Sequence, residues 1–400
     1  MNTQELIELK NNVLLGNYAR PDFVLTHGKG MYLYDADGKE YLDFVAGIAV
    51  NAFGYGDERT MQVLHEQAAK LWHCSNLYHN EPQVLLAQFL TERTFADKVF
   101  FCNSGTEANE AAIKFCRKWA TLNRGPECMQ IISFTKSFHG RTYGALSATG
   151  QTKLQDNFGP MLPGFAFAEF NNLESVQKLV NDQTCAIIAE PVQGEGGIYP
   201  ATAEFMQGLR KLCDDRNLLL VLDEVQCGFG RTGKFCAYEH FGVEPDLATY
   251  AKPIAGGLPL GAVLLKDKIA AAIKPGDHGC TFGGGPLTTR VALDILQRIA
   301  ASQFLAAINE KSGYLQNKLR ALQAQFPAIK EVRGLGLMIG VELTIDPAQL
   351  IAACYRQGLL ICKTGSNAVR LLPPLIVANK HIDEFTGKFK AALSALETTT

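Results

Sequence analysis

A chain of 400 residues, 47% of them hydrophobic and 20% charged, can bury a large core and has the make-up of an ordinary globular protein. Its net charge of −2 gives no electrostatic footprint for nucleic acid and no basic face for a membrane, and no apolar stretch approaches the length of a transmembrane helix. The eleven cysteines are odd in number and lack a CxxC pair, which argues against a disulfide framework or a metal site and for a reduced, cytoplasmic chain.

The first segment, MNTQELIELKNNVLLGNY, mixes acids with bases and lacks the charged start, apolar run and cleavage site of a signal peptide. MYLYDADGKEYLDF (31–44) places two alternating runs around Asp37-Gly38 and reads as a β-hairpin. From about residue 60 to 280, short apolar runs alternate with helical patterns, which predicts an α/β fold with a mainly parallel sheet. In such sheets ligands bind beyond the carboxyl ends of the strands, so chemistry is expected in the residues just after each run.

KVFFC (98–102) leads into Asn103-Ser104-Gly105-Thr106-Glu107, an S-x-x-E capping-box pattern. Ser104, Gly105 and Thr106 could present N–H groups and hydroxyls to an anion at a positive helix end, although a plain capped helix explains the same residues. QIISF (130–134) leads to Phe138 and Arg141, an aromatic able to stack on a planar ring beside a cation able to grip a carboxylate. A solvated loop is the plainer reading of that stretch, and His139, with no HExxH pattern or partnered histidine, is expected to be structural. CAIIAE (185–190) ends on Glu190 and opens a glycine loop holding Glu195, either solvated or the partner of an arginine. LLLVLDE (218–224) carries Asp223 and Glu224 at the mouth of the most apolar run.

Lys252 is the only charge in TYAKPIAGGLPLGAVLL (249–265). An ammonium is costly to desolvate; one solution is a lowered pKa and an amine that attacks a carbonyl, and the plainer alternative is a lysine snorkelling from a loop. After Pro286 the texture changes to a long helical pattern (288–325), short apolar runs, and a closing helix with Ile382, Phe385 and Phe389 on one face. The expected division is 1–60 and 283–400 as two parts of a smaller α+β domain and 61–282 as the large domain. GLGLMIG (334–340) lies between apolar runs and lacks the GxGxxG spacing, so a nicotinamide site is not expected there.

An anion-binding helix start, a stacking aromatic, a lone lysine and a strand-end aspartate together describe a site for pyridoxal 5′-phosphate. Asp223 would keep the ring nitrogen protonated, a charge-assisted bond worth roughly 1.5–3 kcal/mol. Val225 would pack on the ring, and Gln226 could reach its phenolic oxygen.

The segments SGTEANEAAIK, FHGRT, EPVQGEGG, LDEVQCGFGRTG, AKPIAGGLPLGA and TFGG, in this order, resemble the class III aminotransferases from about Gly16 to Leu375. The resemblance implies the fold type I architecture, a large seven-stranded domain with a smaller domain drawn from both termini. It implies that Gly105 and Thr106 bind the cofactor phosphate beside Ser104, and that the partner subunit's Thr281 completes that site in a homodimer with shared active sites. Phe138 is implied to stack on the ring and Lys252 to be the Schiff-base residue and proton shuttle. Glu190 and Glu195 are implied to line the site. Arg141 would take a substrate carboxylate, and Arg370, neutralised by Glu195 for donors that lack one, would take the α-carboxylate of 2-oxoglutarate. GIAVNAFG, HCSNLYHNEPQ and RLLPPL are most similar to the acetylornithine branch of the family. There Gly47 leaves space for an N-acyl group, and Tyr18 is expected near the carboxylate end of the donor. Succinylornithine, ornithine, 4-aminobutyrate, succinyl-diaminopimelate and a same-fold aminomutase are the alternatives. The chain departs from the family pattern at Gly54-Tyr55-Gly56-Asp57-Glu58, where a GHxHP-like turn is usual, and at Gly285, where asparagine is usual.

Overall fold

The computed structural model describes residues 1–397, so the last three residues of the expected 283–400 segment lie outside it. A seven-stranded sheet runs in the order Lys98–Cys102, Gly261–Leu265, Leu247–Tyr250, Leu219–Asp223, Thr184–Ala189, Gln130–Phe134, Phe165–Ala168. Six strands point the same way, and Gly261–Leu265 alone runs antiparallel, to both of its neighbours. The central strands Thr184–Ala189 and Leu219–Asp223 are buried at every position, as continuous apolar runs covered on both faces should be.

The helix Gly105–Arg124 covers one face of this sheet. Ala108, Ala111, Ala112, Phe115, Cys116 and Trp119 recur at helical spacing and are buried. Ser104 caps its start, accepting the Glu107 N–H, but the expected capping box closes differently. The Glu107 carboxylate accepts the N–H of Asn103 at 2.6 Å, one residue before the cap, because it is drawn also to the Asn103 side chain.

The hairpin expected around Asp37-Gly38 forms from Tyr32–Asp35 and Glu40–Asp43. Leu359–Leu360, far along the chain, pairs parallel with Glu40–Asp43, so both ends of the chain share one sheet. Four further strands, Ile329–Leu335, Met338–Leu343, Ala368–Leu371 and Cys362–Thr364, make a third sheet. The closing helix Asn379–Glu397 buries Ile382, Phe385 and Phe389, with Phe385 stacked on Phe44 at 4.3 Å.

The long helical pattern after Pro286 is two helices, Pro286–Ile299 and Ser302–Gln323, bent by 68°. Ala301 is extended (φ −62°, ψ 126°) although no glycine or proline marks the break. Packing sets it: the first helix buries Val291, Ala292, Leu293, Ile295 and Leu296 almost all round, whereas the second buries only one stripe. Gly285 begins the first helix without a side-chain cap, the local consequence of lacking asparagine there. At the other departure from the family pattern, Asp57 caps Glu58–Ala68 and pairs with Arg298 at 2.6 Å.

Beyond the Asp223 strand the chain is clamped to the third sheet. The buried Arg231 donates through Nη1 to the carbonyls of Leu337 (3.1 Å) and Pro373 (2.7 Å), and Leu337 N–H returns a bond to the Arg231 carbonyl. Among the described residues no single helix is long and apolar enough to cross a membrane.

Candidate active site

The carboxyl ends of the central strands open into a cleft of about 400 Å³. Ser104, Gly105, Thr106, Phe138, Arg141, Glu190, Glu195, Asp223, Val225, Gln226 and Lys252, all singled out from sequence, line it.

The two acids that end the strand Leu219–Asp223 do different work. Glu224 turns away from the cleft and accepts the N–H groups of Ala237 (2.7 Å) and Tyr238 (2.8 Å). Burial pushes its carboxyl up to about 8, opposed by those two bonds. Asp223, 4% exposed, faces the cleft. One of its oxygens is held by Asn109 Nδ2 at 2.8 Å and by His139 Nδ1 at 2.7 Å; the other accepts the Val225 N–H at 3.0 Å. Asn109 is itself fixed, accepting from the Thr249 hydroxyl and donating to the His139 carbonyl. Burial pulls the His139 pKa down, but the bond and charge of Asp223 outweigh it and lift the ring above its ordinary value. A carboxylate has about four acceptor positions, and three are used, so capacity remains for a donor in the cleft.

Sequence reasoning misses Asn109 and expects only a structural role for His139; in the fold both aim Asp223. Among the described residues no cluster of His, Cys, Asp or Glu could hold a metal ion.

Lys252 opens a short 3₁₀ turn, Lys252–Ala255, with φ of +43°. A lysine in left-handed backbone is strained, and such strain concentrates where a side chain must point one way. Its ammonium makes no hydrogen bond or ion pair among the described residues. Burial lowers its pKa, with Glu195 pulling it upward and Arg370 pushing it down. A cleft-facing amine without a partner is a nucleophile and a proton carrier.

The anion end is built by close approach. A Cβ on Gly105 would stand 2.6 Å from Val225 Cγ1, so only glycine lets the helix start pack on the residue after Asp223-Glu224. Thr106 Oγ1 accepts the N–H groups of Arg141 (3.0 Å) and Thr142 (3.2 Å), tying the helix start to the loop that carries Phe138. Arg141 lies over the Phe138 ring at 5.5 Å. Glu190 anchors the same loop, accepting the N–H groups of Phe138 (3.0 Å) and Gly194 (2.9 Å), and burial raises its carboxyl to about 7.

Glu195 is not merely solvated. It binds Arg370 Nη1 at 2.6 Å, and that nitrogen also donates to Gln226 Oε1 at 3.0 Å. Burial raises the Glu195 pKa, but the Arg370 charge and bond win and lower it. Arg370, 2% exposed on the strand Ala368–Leu371, does not itself line the cleft; Glu195 and Gln226 do. Its buried Nε has no partner among the described residues.

Besides Arg370, which reaches the cleft only through Glu195 and Gln226, two expected site residues are not brought to it by their own chain. Tyr18 is 65% exposed, with Arg20 over its ring at 5.3 Å. Thr281 borders a separate small depression with residues 73–76 and 283–286.

The donor set fits pyridoxal 5′-phosphate on its chemistry: a free amine for the aldehyde, a held carboxylate for the ring nitrogen, and a capped helix start with hydroxyls for the phosphate. Residues 16–393 match the family described as aminotransferase class-III. The chain is 48% identical over 383 residues to an acetylornithine aminotransferase of Methanocaldococcus jannaschii, covering 96% of each chain. It is 45% identical over 381 residues to a succinylornithine transaminase of Yersinia pseudotuberculosis, covering 93% of this chain and 92% of that one. The ornithine aminotransferase of Toxoplasma gondii superposes with a TM-score of 0.96 at 30% identity, covering 100% of this chain and 97% of that one. The chain belongs to the class III aminotransferases, transaminases whose cofactor is pyridoxal 5′-phosphate.

Proposed function

We propose that the chain transfers the ω-amino group of N-acetylornithine to 2-oxoglutarate, giving N-acetylglutamate 5-semialdehyde and glutamate, a step of arginine biosynthesis. The observation that carries the reading is the unpaired Lys252 amine in one cleft with the held carboxylate of Asp223. When bound, pyridoxal 5′-phosphate supplies an aldehyde that condenses with amines and a cationic ring that draws electrons from the adjacent carbon.

The protein's own part is binding, orientation and proton movement. Gly105, Thr106 and Ser104 hold the phosphate at the helix start. Phe138 and Val225 pack on the ring, Gln226 reaches its oxygen, and Asp223 keeps the ring nitrogen protonated. Glu190 fixes the loops around it. Lys252 Nζ moves the proton that leaves the donor's amine-bearing carbon, helped by burial that favours its uncharged form. With the acyl donor, whose reacting end carries no carboxylate, Glu195 keeps Arg370 neutralised. With 2-oxoglutarate, Arg370 takes the α-carboxylate and Arg141 the distal one.

Gly47, three residues before the cleft-lining Val50, borders a neighbouring cavity with Val45 and Tyr55 and is assigned to the acyl group, and Tyr18 is assigned to the donor's carboxylate end on the family resemblance alone. A cytoplasmic homodimer is the working unit. It is supported by the exposure of Trp72 (66%), Leu77 (85%), Tyr78 (69%) and Phe282 (66%) around Thr281, which binds phosphate only if it reaches another subunit's cleft. Domain limits of 1–60, 61–282 and 283–400 suit this arrangement.

The test is a panel of half-reactions followed by cofactor absorbance, with N-acetylornithine, N-succinylornithine, ornithine and 4-aminobutyrate offered in turn. N-acetylornithine should react fastest; a clear preference for 4-aminobutyrate removes the assignment.

A further inference from the structure

Glu195 borders two cavities. Besides the main cleft it lines a polar hollow of about 150 Å³ shared with Lys136, Lys153, Tyr199, Arg333 and Glu342. Arg333 is already committed, donating to Glu342 (2.6 Å), Glu331 (2.9 Å) and the Gly197 carbonyl (2.8 Å). The ammonium groups of Lys136 and Lys153 have no hydrogen bond or ion pair among the described residues, and Lys136 Nζ lies 5.7 Å from the centre of the Tyr199 ring.

Lys136 stands out for its backbone. Its φ is +64°, a left-handed conformation that is unfavourable for a lysine, kept by the bond from its N–H to the Gly150 carbonyl at 2.8 Å. It also abuts the loop of Glu195: a Cβ on Gly196 would lie 2.8 Å from the Lys136 carbonyl oxygen and 3.2 Å from its Cβ. The loop itself is pinned. Glu195 O accepts the Gly365 N–H (3.0 Å), and Gly194 O accepts the Thr364 hydroxyl (2.7 Å). Only the Glu195 side chain is therefore free to turn.

We infer that this hollow receives the Glu195 carboxylate when an acceptor carboxylate takes its place on Arg370, and that Lys136 is the cation it meets there. The inference rests on the proposed role of Arg370. Two carboxylates cannot share one guanidinium edge without repulsion, so Glu195 must leave, and leaving forfeits a charge-assisted bond. A hollow several times the roughly 30 Å³ that a water occupies in the liquid accommodates the carboxylate with its hydration. An unpaired ammonium beside it offsets part of the loss. Lys136 is thus a positioning residue for the second half of the cycle and idle in the first.

The test compares half-reactions of the holoenzyme. Lys136→Asn, a residue tolerant of left-handed backbone, should raise the 2-oxoglutarate concentration that half-saturates the acceptor half-reaction by about two- to fivefold, the scale of one exposed ion pair. The donor half-reaction with N-acetylornithine should not change, and Lys136→Arg should restore the acceptor step. In a Glu195→Ala background, Lys136→Asn should have no effect, since no carboxylate needs a destination. An unaltered acceptor step in K136N, or an effect that persists without Glu195, overturns the inference. Failure of the underlying reading looks different: Arg370→Ala would then leave the response to 2-oxoglutarate unchanged.

Discussion

Replacing Asp223 by asparagine keeps the side chain's shape and removes its charge. The wild-type carboxylate accepts from Asn109 (2.8 Å), His139 (2.7 Å) and the Val225 N–H (3.0 Å), one oxygen serving the first two and the other the third. An amide cannot accept on both sides, so one of these bonds is lost, costing about 1 kcal/mol. The bond to the ring nitrogen changes from charge-assisted to neutral, a further loss of about 1–1.5 kcal/mol, or roughly tenfold in cofactor affinity. Turnover should fall much further, on the order of 10²–10³-fold, the scale for removing one preorganised electrostatic partner. Cofactor titration of the apoenzyme and single-turnover absorbance separate the two effects. A cofactor analogue methylated on the ring nitrogen, and hence permanently cationic, should restore much of the lost rate. Near-normal turnover with the ordinary cofactor, or no recovery with the methylated analogue at saturation, would refute the reasoning.

Glu195→Ala frees Arg370 from its ion pair and should lower the half-saturating 2-oxoglutarate concentration by about tenfold, while glutamate becomes a better competing donor. Gly105→Ala drives a methyl into Val225, an overpacking cost of about 1–3 kcal/mol, visible as a lower Tm and a cofactor lost more readily on dialysis. Burial pushes the Glu224 carboxyl from an ordinary 4.5 up to about 8, so the folded state holds its proton more tightly than the unfolded chain. The stability this contributes is complete at pH values below the unfolded pKa and is lost as pH rises through the folded one. The Tm advantage of wild type over Glu224→Gln should therefore be larger near pH 5 than near pH 8; a gap that widens with pH contradicts this.

Lys252 and Asp223 are legible in the sequence because each is a charge where the surrounding pattern forbids one without a purpose. The parallel sheet is legible for a similar reason, since runs such as LLLVL have no polar face to show water. Asn109 carries a signal that is easily overlooked: a polar residue on the buried face of the Gly105–Arg124 helix, between Ala108 and Ala111. His139 carries none, because its partner lies 84 residues away and no local spacing encodes that contact. The break at Ala301 is hidden too, since two alanines are good helix formers and only tertiary packing turns the chain there. Glu195 stays ambiguous between solvent and an arginine until the strand Ala368–Leu371 supplies Arg370.

The clamp at Arg231 has a consequence for how the enzyme is made. Its guanidinium finds its carbonyl acceptors 106 and 142 positions later in the chain. On the ribosome, the turn that leaves the aspartate strand therefore stays unmoored until nearly the whole polypeptide has emerged. A truncated product ending soon after Lys252 would carry the reactive amine yet lack both carbonyls that moor Arg231. The docking of this turn onto the third sheet should thus come late and abruptly during synthesis.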